Sequence, residues 1–409
     1  MDGKMIYIVA DDLTGANDTA IQYRKNGLRA ATQVRFIPEA LPALRKNCGV
    51  ISINVNSRAM APGEAYRANF RVAEAIRSDA RYIYKKIDSV FRGNIVPELE
   101  AIMDAAQSRL CLLAPAYPEN HRTCVGGIVY VNGEELLDAG EYLRASLGRR
   151  LALLPVDVLR RGGKAVAAYL AEKESEGVSV FLCDSADAGD LHILAGAVQG
   201  MENVLFSGSA GFAASLSELC AGEEAPFRCP EETGRVLVVI GTRHAETAAQ
   251  VKRLQSAAAY PVVCTRACEL AAGDGTVQTA YARRVSELFR EGNDVVVLLI
   301  DSLLLESEGG TLDAETSKLA ESLGCITQQV LRVSSVDAMI LSGGDTAFAV
   351  CLANSINTLW PETEIGKGIP VCGAEVNGEP LLLVTKSGGF GDADALLRAL
   401  CFLQPQPVR

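Results

Sequence analysis

The fold is decided by residues 6–20, which run Ile6-Tyr7-Ile8-Val9-Ala10-Asp11-Asp12-Leu13-Thr14-Gly15-Ala16-Asn17-Asp18-Thr19-Ala20. The apolar run from Ile6 to Ala10 predicts a buried strand. Small and polar residues then turn the chain, with Gly15 free to take a positive φ, and apolar positions at helical spacing follow up to Gly27. The sequence therefore predicts a strand–loop–helix unit. Its polar loop lies at the carboxyl end of the strand, where ligands bind in open α/β sheets.

Two adjacent carboxylates, Asp11 and Asp12, end this strand. Asp and Asn are common helix caps, and a single Asp at such a turn is most often a cap. Together with Asn17 and Asp18 the acidic and amide groups exceed what one cap needs, so a functional role is favoured. Paired carboxylates repel anions and suit hydroxyl groups, a metal ion or a proton that must be removed.

The composition limits the class of protein. A chain of 409 residues is long enough for two domains, and 49% hydrophobic residues provide sizeable cores. The net charge of −11 argues against nucleic acid and anionic membrane as partners, and an anionic substrate would need a local basic patch. No apolar run approaches the roughly 18 residues of a membrane span, and the first residues lack a signal segment, so we expect a cytosolic protein.

The twelve cysteines are dispersed and form no C-x-x-C pair. Several lie in apolar runs, and we interpret these as reduced core residues: Cys111, Cys183, Cys372 and Cys401. Cys264 and Cys268, with His244 not far away in sequence, make a weak zinc argument, and no metal site is predicted.

A second polar loop follows a predicted strand that begins near Tyr82. The strand ends in Lys85 and Lys86, which alternation directs to opposite faces, so we expect only one of them to face a ligand. Arg92 has the planar fork that matches a carboxylate. Each cation alone would be interpreted as a solvated side chain, whereas their cluster beside Asp88 favours a binding role.

Strands alternate with helices along the first half, which is typical of a parallel, doubly wound sheet. Between Cys220 and Gly234 the chain becomes rich in Glu, Pro and Gly and loses its periodicity, which indicates a domain boundary. We predict an α/β protein with a domain at 1–222, a linker at 223–234 and a domain at 235–409. Each domain would have a mainly parallel sheet flanked by helices, with the active site in the cleft between them.

The second half repeats the strand–turn–helix pattern with glycine-rich turns at 342–346 and 386–391, and Gly241-Thr242 opens another. Such turns present backbone N–H groups and a helix dipole to an anion, and two of them suit a triphosphate. Lys386 would add a charge, and Thr346 or Ser387 a hydroxyl. Neither a P-loop motif nor a strict G-x-G-x-x-G is present.

Four motifs, in this order, resemble the landmarks of the four-carbon acid sugar kinase family: Asp-Asp-x-Thr-Gly-Ala at 11–16, the block at 85–94, the turn at 342–347 and the turn at 385–391. The resemblance spans nearly the whole chain. It implies a first domain that binds a sugar acid such as threonate, erythronate or an oxo-tetronate. It implies a second domain that binds ATP, and phosphorylation of a hydroxyl of the acid.

The resemblance also implies roles for individual residues. Asp12 and Asp88 are the candidate catalytic residues. The implied substrate-binding residues are Asp11, Arg58, Lys86, Arg92 and Gly93. The implied nucleotide-binding residues are Thr242, His244, Gly343, Gly344, Asp345, Thr346, Ser387, Gly388 and Gly389. With ATP and Mg²⁺ as cofactors, we expect Lys86 and Arg92 to hold the substrate carboxylate, and Asp12 or Asp88 to accept the proton of the attacking hydroxyl.

The chain departs from the family pattern at a few positions. Gly241-Thr242-Arg243-His244 stands where Gly-Ser and small residues are usual, so the roles of Thr242 and His244 stay open. Gly389 stands where Asn is common, and Asn120-His121-Arg122 replaces a Gly-Arg loop. The acid, the hydroxyl phosphorylated and association as a homodimer also stay open. The alternatives are a nicotinamide-dependent hydroxy-acid oxidoreductase, using the turn at 207–211, and a non-catalytic sugar-acid sensor.

Overall fold

The computed structural model describes residues 4–220, 222, 223, 225, 227, 233–301 and 313–404. The chain divides into two compact units, Met1–Ala225 and Pro226–Arg409. The predicted linker, residues 223–234, lies largely outside the described residues. No helix of the described part is both long and apolar enough to cross a membrane.

The first unit alternates strands and helices along most of its length. Its strands are β1 (Met5–Ala10), β2 (Ala30–Gln33), β3 (Val50–Asn54), β4 (Ala80–Lys86), β5 (Leu110–Ala114), β6 (Arg122–Val125), β7 (Ile128–Val131), β8 (Glu134–Asp138), β9 (Leu151–Leu154), β10 (Val180–Cys183) and β11 (Val204–Gly208). Its helices are α1 (Leu13–Lys25), α2 (Leu41–Asn47), α3 (Pro62–Ile76), α4 (Ile95–Ala106), α5 (Ala139–Ser146), α6 (Val156–Leu159), α7 (Gly163–Ser175), α8 (Ala188–Val198) and α9 (Ala210–Glu218).

The main sheet of this unit has the order β2-β3-β1-β4-β11-β5-β10-β9, and its neighbouring strands pair in parallel. Strand β1 is buried at every residue, as an apolar run between two neighbours requires. Strands β6, β7 and β8 form a separate antiparallel sheet. Because β3, β1 and β4 are adjacent and parallel, the loops after them lie at one edge.

The second unit has the strands β12 (Val236–Ile240), β13 (Val262–Thr265), β14 (Val295–Ile300), β15 (Ala338–Ser342), β16 (Thr358–Gly366), β17 (Ile369–Val376) and β18 (Glu379–Lys386). Its helices are α10 (Ala245–Ala257), α11 (Ala267–Ala271), α12 (Gly275–Arg290), α13 (Asp313–Val333), α14 (Gly344–Ala353) and α15 (Ala395–Leu403).

The sheet of this unit runs β13-β14-β12-β15-β18-β17-β16. Pairing is parallel from β13 to β18 and antiparallel through β17 and β16. The two units together confirm the predicted fold class, with mainly parallel sheets flanked by helices. The glycine turns after β12, β15 and β18 share one edge because these strands are adjacent and parallel.

Two local predictions are wrong. Gly15 does not adopt a positive φ, because the helix already begins at Leu13 and includes it. Cys401 is exposed, since α15 buries Leu396, Ala399 and Leu400 and turns position 401 to the opposite face. Cys111, Cys183 and Cys372 are buried free thiols, as their apolar surroundings predicted.

Candidate active site

Arg58 connects the three carboxylates at the edge of the first sheet. Its Nε lies 2.7 Å from Oδ2 of Asp11, and its terminal nitrogens lie 3.0 Å from Asp12 and 3.8 Å from Asp88. These residues follow β3, β1 and β4, so the strand order brings them together. The structure thus assembles three of the predicted substrate-side carboxylates around one guanidinium.

Asp11 keeps one acceptor unused in this arrangement. Its side chain is 3% exposed, and Oδ2 pairs with Arg58. Oδ1 is buried and has no hydrogen-bond partner among the described residues. Buried carboxylate oxygens usually have a donor, so this orphaned acceptor is a feature of the cluster that its own side chains do not satisfy.

Asp12 is both a helix cap and a member of the cluster. Its Oδ1 accepts a hydrogen bond from the Gly15 amide at 2.9 Å, and its Oδ2 accepts one from the Thr14 hydroxyl at 2.7 Å. Burial alone would raise the pKa of this carboxyl, but the charges of Arg58 and Lys86 outweigh it and hold the pKa below its usual value. A Cβ at Gly15 would lie 2.5 Å from Oδ1 of Asp12, so glycine is needed there for space.

Asp88 is occupied by Arg92. Nε and Nη2 of Arg92 donate to the two carboxylate oxygens at 2.9 and 2.8 Å, and the Arg92 amide adds a bond at 3.1 Å. Burial would raise the pKa of Asp88, yet the Arg92 hydrogen bonds and the charge of Arg58 bring it far below the usual range. The Arg92 side chain remains 52% exposed, so its outer edge faces solvent.

The two lysines of β4 divide as strand alternation predicted. Lys86 lies on the cluster side, where its charge acts on Asp12 and Asp88 and its Nζ donates to the Ile87 carbonyl at 2.8 Å. Lys85 points to the other face, is 0% exposed and pairs with Glu98 at 2.8 Å. Only Lys86 therefore belongs to the charged cluster.

The loop that carries Arg58 is held from behind by residues missing from the predicted site. The Ser57 hydroxyl donates to Glu98, and Nδ2 of Asn94 donates to the carbonyls of Ser57 and Met60 at 2.9 and 2.8 Å. Gly93, with φ +89°, packs so closely that a Cβ would lie 3.0 Å from Cγ of Arg58. Glu98 could have been found from the sequence, because it occupies the apolar face of its helix with Ile95, Leu99 and Ile102.

Arg122 is a further cation that sequence reasoning left out of the site. It begins β6 and is half-buried. Burial and the nearby charge of Arg92 lower the pKa of Arg122, while the charges of Asp88 and Asp18 raise it. The side chain is therefore within electrostatic reach of the cluster.

The glycine turns of the second unit interlock at their own edge. A Cβ on Gly388 would lie 2.3 Å from Oγ1 of Thr242 and 2.4 Å from Cδ2 of His244. Gly343 has φ +113°, and its Cβ would lie 3.3 Å from Cβ of Thr242. The predicted residues after β12, β15 and β18 are thus neighbours, with only glycine accommodated at the points of closest approach.

The other predicted nucleotide-side residues lie on the same turns. Thr346 is buried, with Oγ1 only 2.1 Å from where a Cβ on Gly241 would stand. Asp345 is exposed in the first turn of α14, and Gly344 begins that helix. Ser387 and Gly389 are half-buried in the turn after β18.

The turn at 207–211, on which the oxidoreductase alternative rests, is packed shut. All five residues are buried, and a Cβ on Gly208 would lie 2.1 Å from the Ala114 carbonyl. The Ser209 hydroxyl donates to the Ala116 carbonyl at 2.6 Å. This turn joins β11 to α9 and has no space for a pyrophosphate.

Family models match both units. A sugar-binding N-terminal domain model matches residues 6–216, and a nucleotide-binding C-terminal domain model matches residues 237–396. The D-threonate kinase of Cupriavidus necator is 31% identical, and the alignment covers 96% of both chains. The chain belongs to the four-carbon acid sugar kinase family. The family predicted from four motifs is thereby confirmed.

Other relatives of this chain in the four-carbon acid sugar kinase family are named for different substrates. The 3-oxo-tetronate kinase of Pseudomonas fluorescens is 28% identical over 96% of this chain and 95% of its own. The D-erythronate kinase of Heliobacterium modesticaldum is 28% identical over 97% of each chain. A solved structure from Salmonella typhimurium LT2 has the same fold, with a TM-score of 0.78, 21% identity, and coverage of 97% of this chain and 98% of its own.

Proposed function

We propose that this protein is an ATP-dependent kinase that phosphorylates a hydroxyl of a four-carbon sugar acid of the threonate, erythronate or 3-oxo-tetronate class. The observation that carries the proposal is the charged cluster around Arg58, in a chain of this family. It sets three carboxylates against three cations, Arg58, Lys86 and Arg92, at a ligand-binding edge. Such a site suits a substrate that carries both hydroxyls and a carboxylate.

Asp12 is the better candidate for the residue that accepts the hydroxyl proton. Both carboxylate oxygens of Asp88 accept hydrogen bonds from Nε and Nη2 of Arg92, which supports a role in holding that arginine. Asp12 keeps 16% of its side chain exposed and shares Arg58 with Asp11. A lowered pKa keeps it ionised at neutral pH. Phosphoryl transfer tolerates a weak base, since positioning and charge neutralisation provide most of the catalysis.

Arg92 and Lys86 are proposed to hold the substrate carboxylate, with Arg122 as a third cation in reach. Arg92 is suited to this because Asp88 fixes its fork while half of the side chain stays exposed. Oδ2 of Asp11 holds the Arg58 guanidinium beside these cations at 2.7 Å, and Asp12 offers an acceptor for a substrate hydroxyl. Together these groups would recognise a short acid with hydroxyls near its carboxylate.

The glycine turns after β12, β15 and β18 are proposed to bind the ATP phosphates through backbone N–H groups. Mg²⁺ would travel with the nucleotide, because it is commonly held by phosphates, water and one or two carboxylates. The described residues contain no group of three or more His, Cys, Asp and Glu side chains able to hold a metal ion. Asp345 and Glu246, both exposed in the first turns of α14 and α10, are candidate carboxylates.

A coupled assay of ADP release over a panel of three- to six-carbon sugar acids tests the proposal. We expect release to depend on a four-carbon acid and on Mg²⁺. Binding of acids without ADP release would favour a sensor and contradict the proposal. Calorimetric titration should give heat with ATP and none with NAD, and the reverse result would reinstate the oxidoreductase.

A further inference from the structure

Lys386, the last residue of β18, points into the second unit beneath the turn that follows it. The side chain is 1% exposed. Its Nζ donates to the carbonyls of Ser387, Gly388 and Phe390 at 2.9, 3.2 and 3.2 Å, and to Oγ1 of Thr247 at 3.1 Å. The ammonium therefore donates its hydrogen bonds to oxygens of its own unit.

Helix α10 holds the same carbonyls from the same side. The Thr247 hydroxyl donates to the Gly388 carbonyl at 2.7 Å. Nε2 of Gln250 donates to the carbonyls of Phe390 and Gly391, both at 3.0 Å. Three side chains thus fix the orientation of the peptide groups in residues 387–391.

The orientation of the carbonyls decides where the amides point. In a planar trans peptide the C=O of one residue and the N–H of the next lie on opposite sides of the bond. Because the carbonyls of Ser387, Gly388 and Phe390 face the ammonium, the N–H groups of Gly388, Gly389 and Gly391 face away from it. The Phe390 N–H between them is not part of this set, since it donates to the Ser387 carbonyl at 3.1 Å. Amides of one turn that face the same side form a concave site for an anion.

We propose that Lys386 is a positioning residue for the nucleotide: it holds the turn carbonyls inward so that the amides of Gly388, Gly389 and Gly391 face a phosphate. The inference rests on the proposed function, because the phosphate is that of ATP. It replaces the sequence-based expectation that Lys386 adds its own charge to the phosphate. The partners of its ammonium are three carbonyl oxygens and one hydroxyl oxygen.

Replacing Lys386 by Met tests the proposal, with Lys252→Met as the matched control. Lys252 is exposed on α10, outside the turns. We expect Lys386→Met to weaken ADP binding, measured by calorimetry, about tenfold or more. The KM for the sugar acid should change less than about twofold. Lys252→Met should leave both values unchanged.

A general structural role would give a different result. It would lower the thermal midpoint and the active fraction while leaving the ADP affinity of the folded protein intact. Unchanged ADP affinity in folded Lys386→Met, or an equal loss for ADP and acid, would overturn the proposal.

Thr247→Val keeps the test decisive if Lys386→Met does not fold. It removes one of the side-chain groups that hold the turn carbonyls, at nearly constant volume. We expect the affinity for ADP to fall about fivefold. An unchanged ADP affinity in Thr247→Val would contradict the proposal that these side chains position the turn. ADP binding is measured without turnover, so failure of the wild type to phosphorylate any acid would count against the proposed function alone.

Discussion

Both units place the same local structure, a parallel strand followed by a turn and a helix, at one edge of a sheet, but the chemical groups at the two edges differ. After β1, β3 and β4 these groups are charged side chains that meet around Arg58. After β12, β15 and β18 the turns are rich in glycine, which leaves peptide groups at the points where the turns approach one another most closely. Recognition of a small acid with several hydroxyls requires side chains of different charge and hydrogen-bonding type. Binding of a row of phosphates requires repeated hydrogen-bond donors, which backbone N–H groups provide.

Each edge also contains a lysine that is at most 1% exposed, Lys85 in the first unit and Lys386 in the second, and these two lysines are stabilised differently. Lys85 is paired with the carboxylate of Glu98 at 2.8 Å, and both side chains are at most 1% exposed. Lys386 is surrounded by carbonyl and hydroxyl oxygens, and burial lowers its pKa to about 8 although Glu246 opposes the shift. Lys85 is thus compensated by an opposite charge, whereas Lys386 is held by neutral oxygens and can lose a proton.

The largest effect is expected from breaking the buried pair of the first edge. Glu98→Gln leaves the Lys85 charge uncompensated, and we expect it to lower the free energy of unfolding by about 3–5 kcal/mol. Denaturant unfolding measures this. The control is Glu174→Gln, which removes the partner of Arg109 from an exposed pair and should cost at most about 1 kcal/mol. Equal costs at the two sites would mean that the buried pair does not support the edge.

The next largest effect is expected at Asp12. Asp12→Asn keeps a good helix cap, so the fold should be retained. If Asp12 accepts the proton, kcat should fall by at least about 100-fold. Steady-state kinetics with the preferred acid measures this, and near-normal turnover would rule Asp12 out as the base. Asp88→Asn is the comparison variant: it should mainly raise the KM for the acid, because Arg92 loses its anchor.

Local sequence patterns predicted the first edge better than the second. The opposite directions of Lys85 and Lys86 followed from the alternation of side chains along β4. The position of Asp11 and Asp12 followed from the end of the apolar run that forms β1. The junction of Arg58 with three carboxylates depends on the order β3-β1-β4, which hydrophobic periodicity does not contain. Arg122 reaches the cluster for a similar non-local reason.

At the second edge the sequence located the glycine turns but not the direction of Lys386. Its ammonium turns beneath the following residues, and only the packing of Thr247 and Gln250 against that turn reveals this. The predicted roles of individual residues at both edges stay predictions, and the position of the site between the domains stays one as well.

A smaller, local effect should separate two neighbouring glycines. A Cβ at Gly388 collides with Thr242 at 2.3 Å, and Thr242 is β-branched and stiff. A Cβ at Gly389 meets nothing nearer than Nδ1 of His244 at 3.6 Å. We expect Gly388→Ala to raise the KM for ATP about tenfold and Gly389→Ala to raise it less than about threefold. Similar values for both would show that the close approach to Thr242 has no part in nucleotide binding.

The smallest effect is a pH dependence confined to the second edge. With a pKa of about 8 in the folded protein, Lys386 loses a proton as the pH rises through 8, and a neutral amine has one donor fewer. The turn carbonyls are then held more weakly, so the KM for ATP should rise about fivefold between pH 7 and 9.5. Lys386→Met should lack this rise, and a flat wild-type profile would contradict it.

The same titration should move stability in the opposite direction. Between pH 8 and roughly 10.4, the usual lysine pKa, the unfolded chain binds the proton that the folded protein has released. Stability increases with pH wherever the unfolded state binds more protons, so this lysine should add stability across the window in which ATP binding weakens. The side chains that bear on the titration are the Glu246 carboxylate, which opposes it, and His244, which lies against the turn at Gly388. Comparing denaturant unfolding of the wild type and Lys386→Met at pH 7.5 and 9.5 isolates the contribution. If ATP affinity and stability both fell, or both rose, between pH 7.5 and 9.5, the titrating group would not be Lys386.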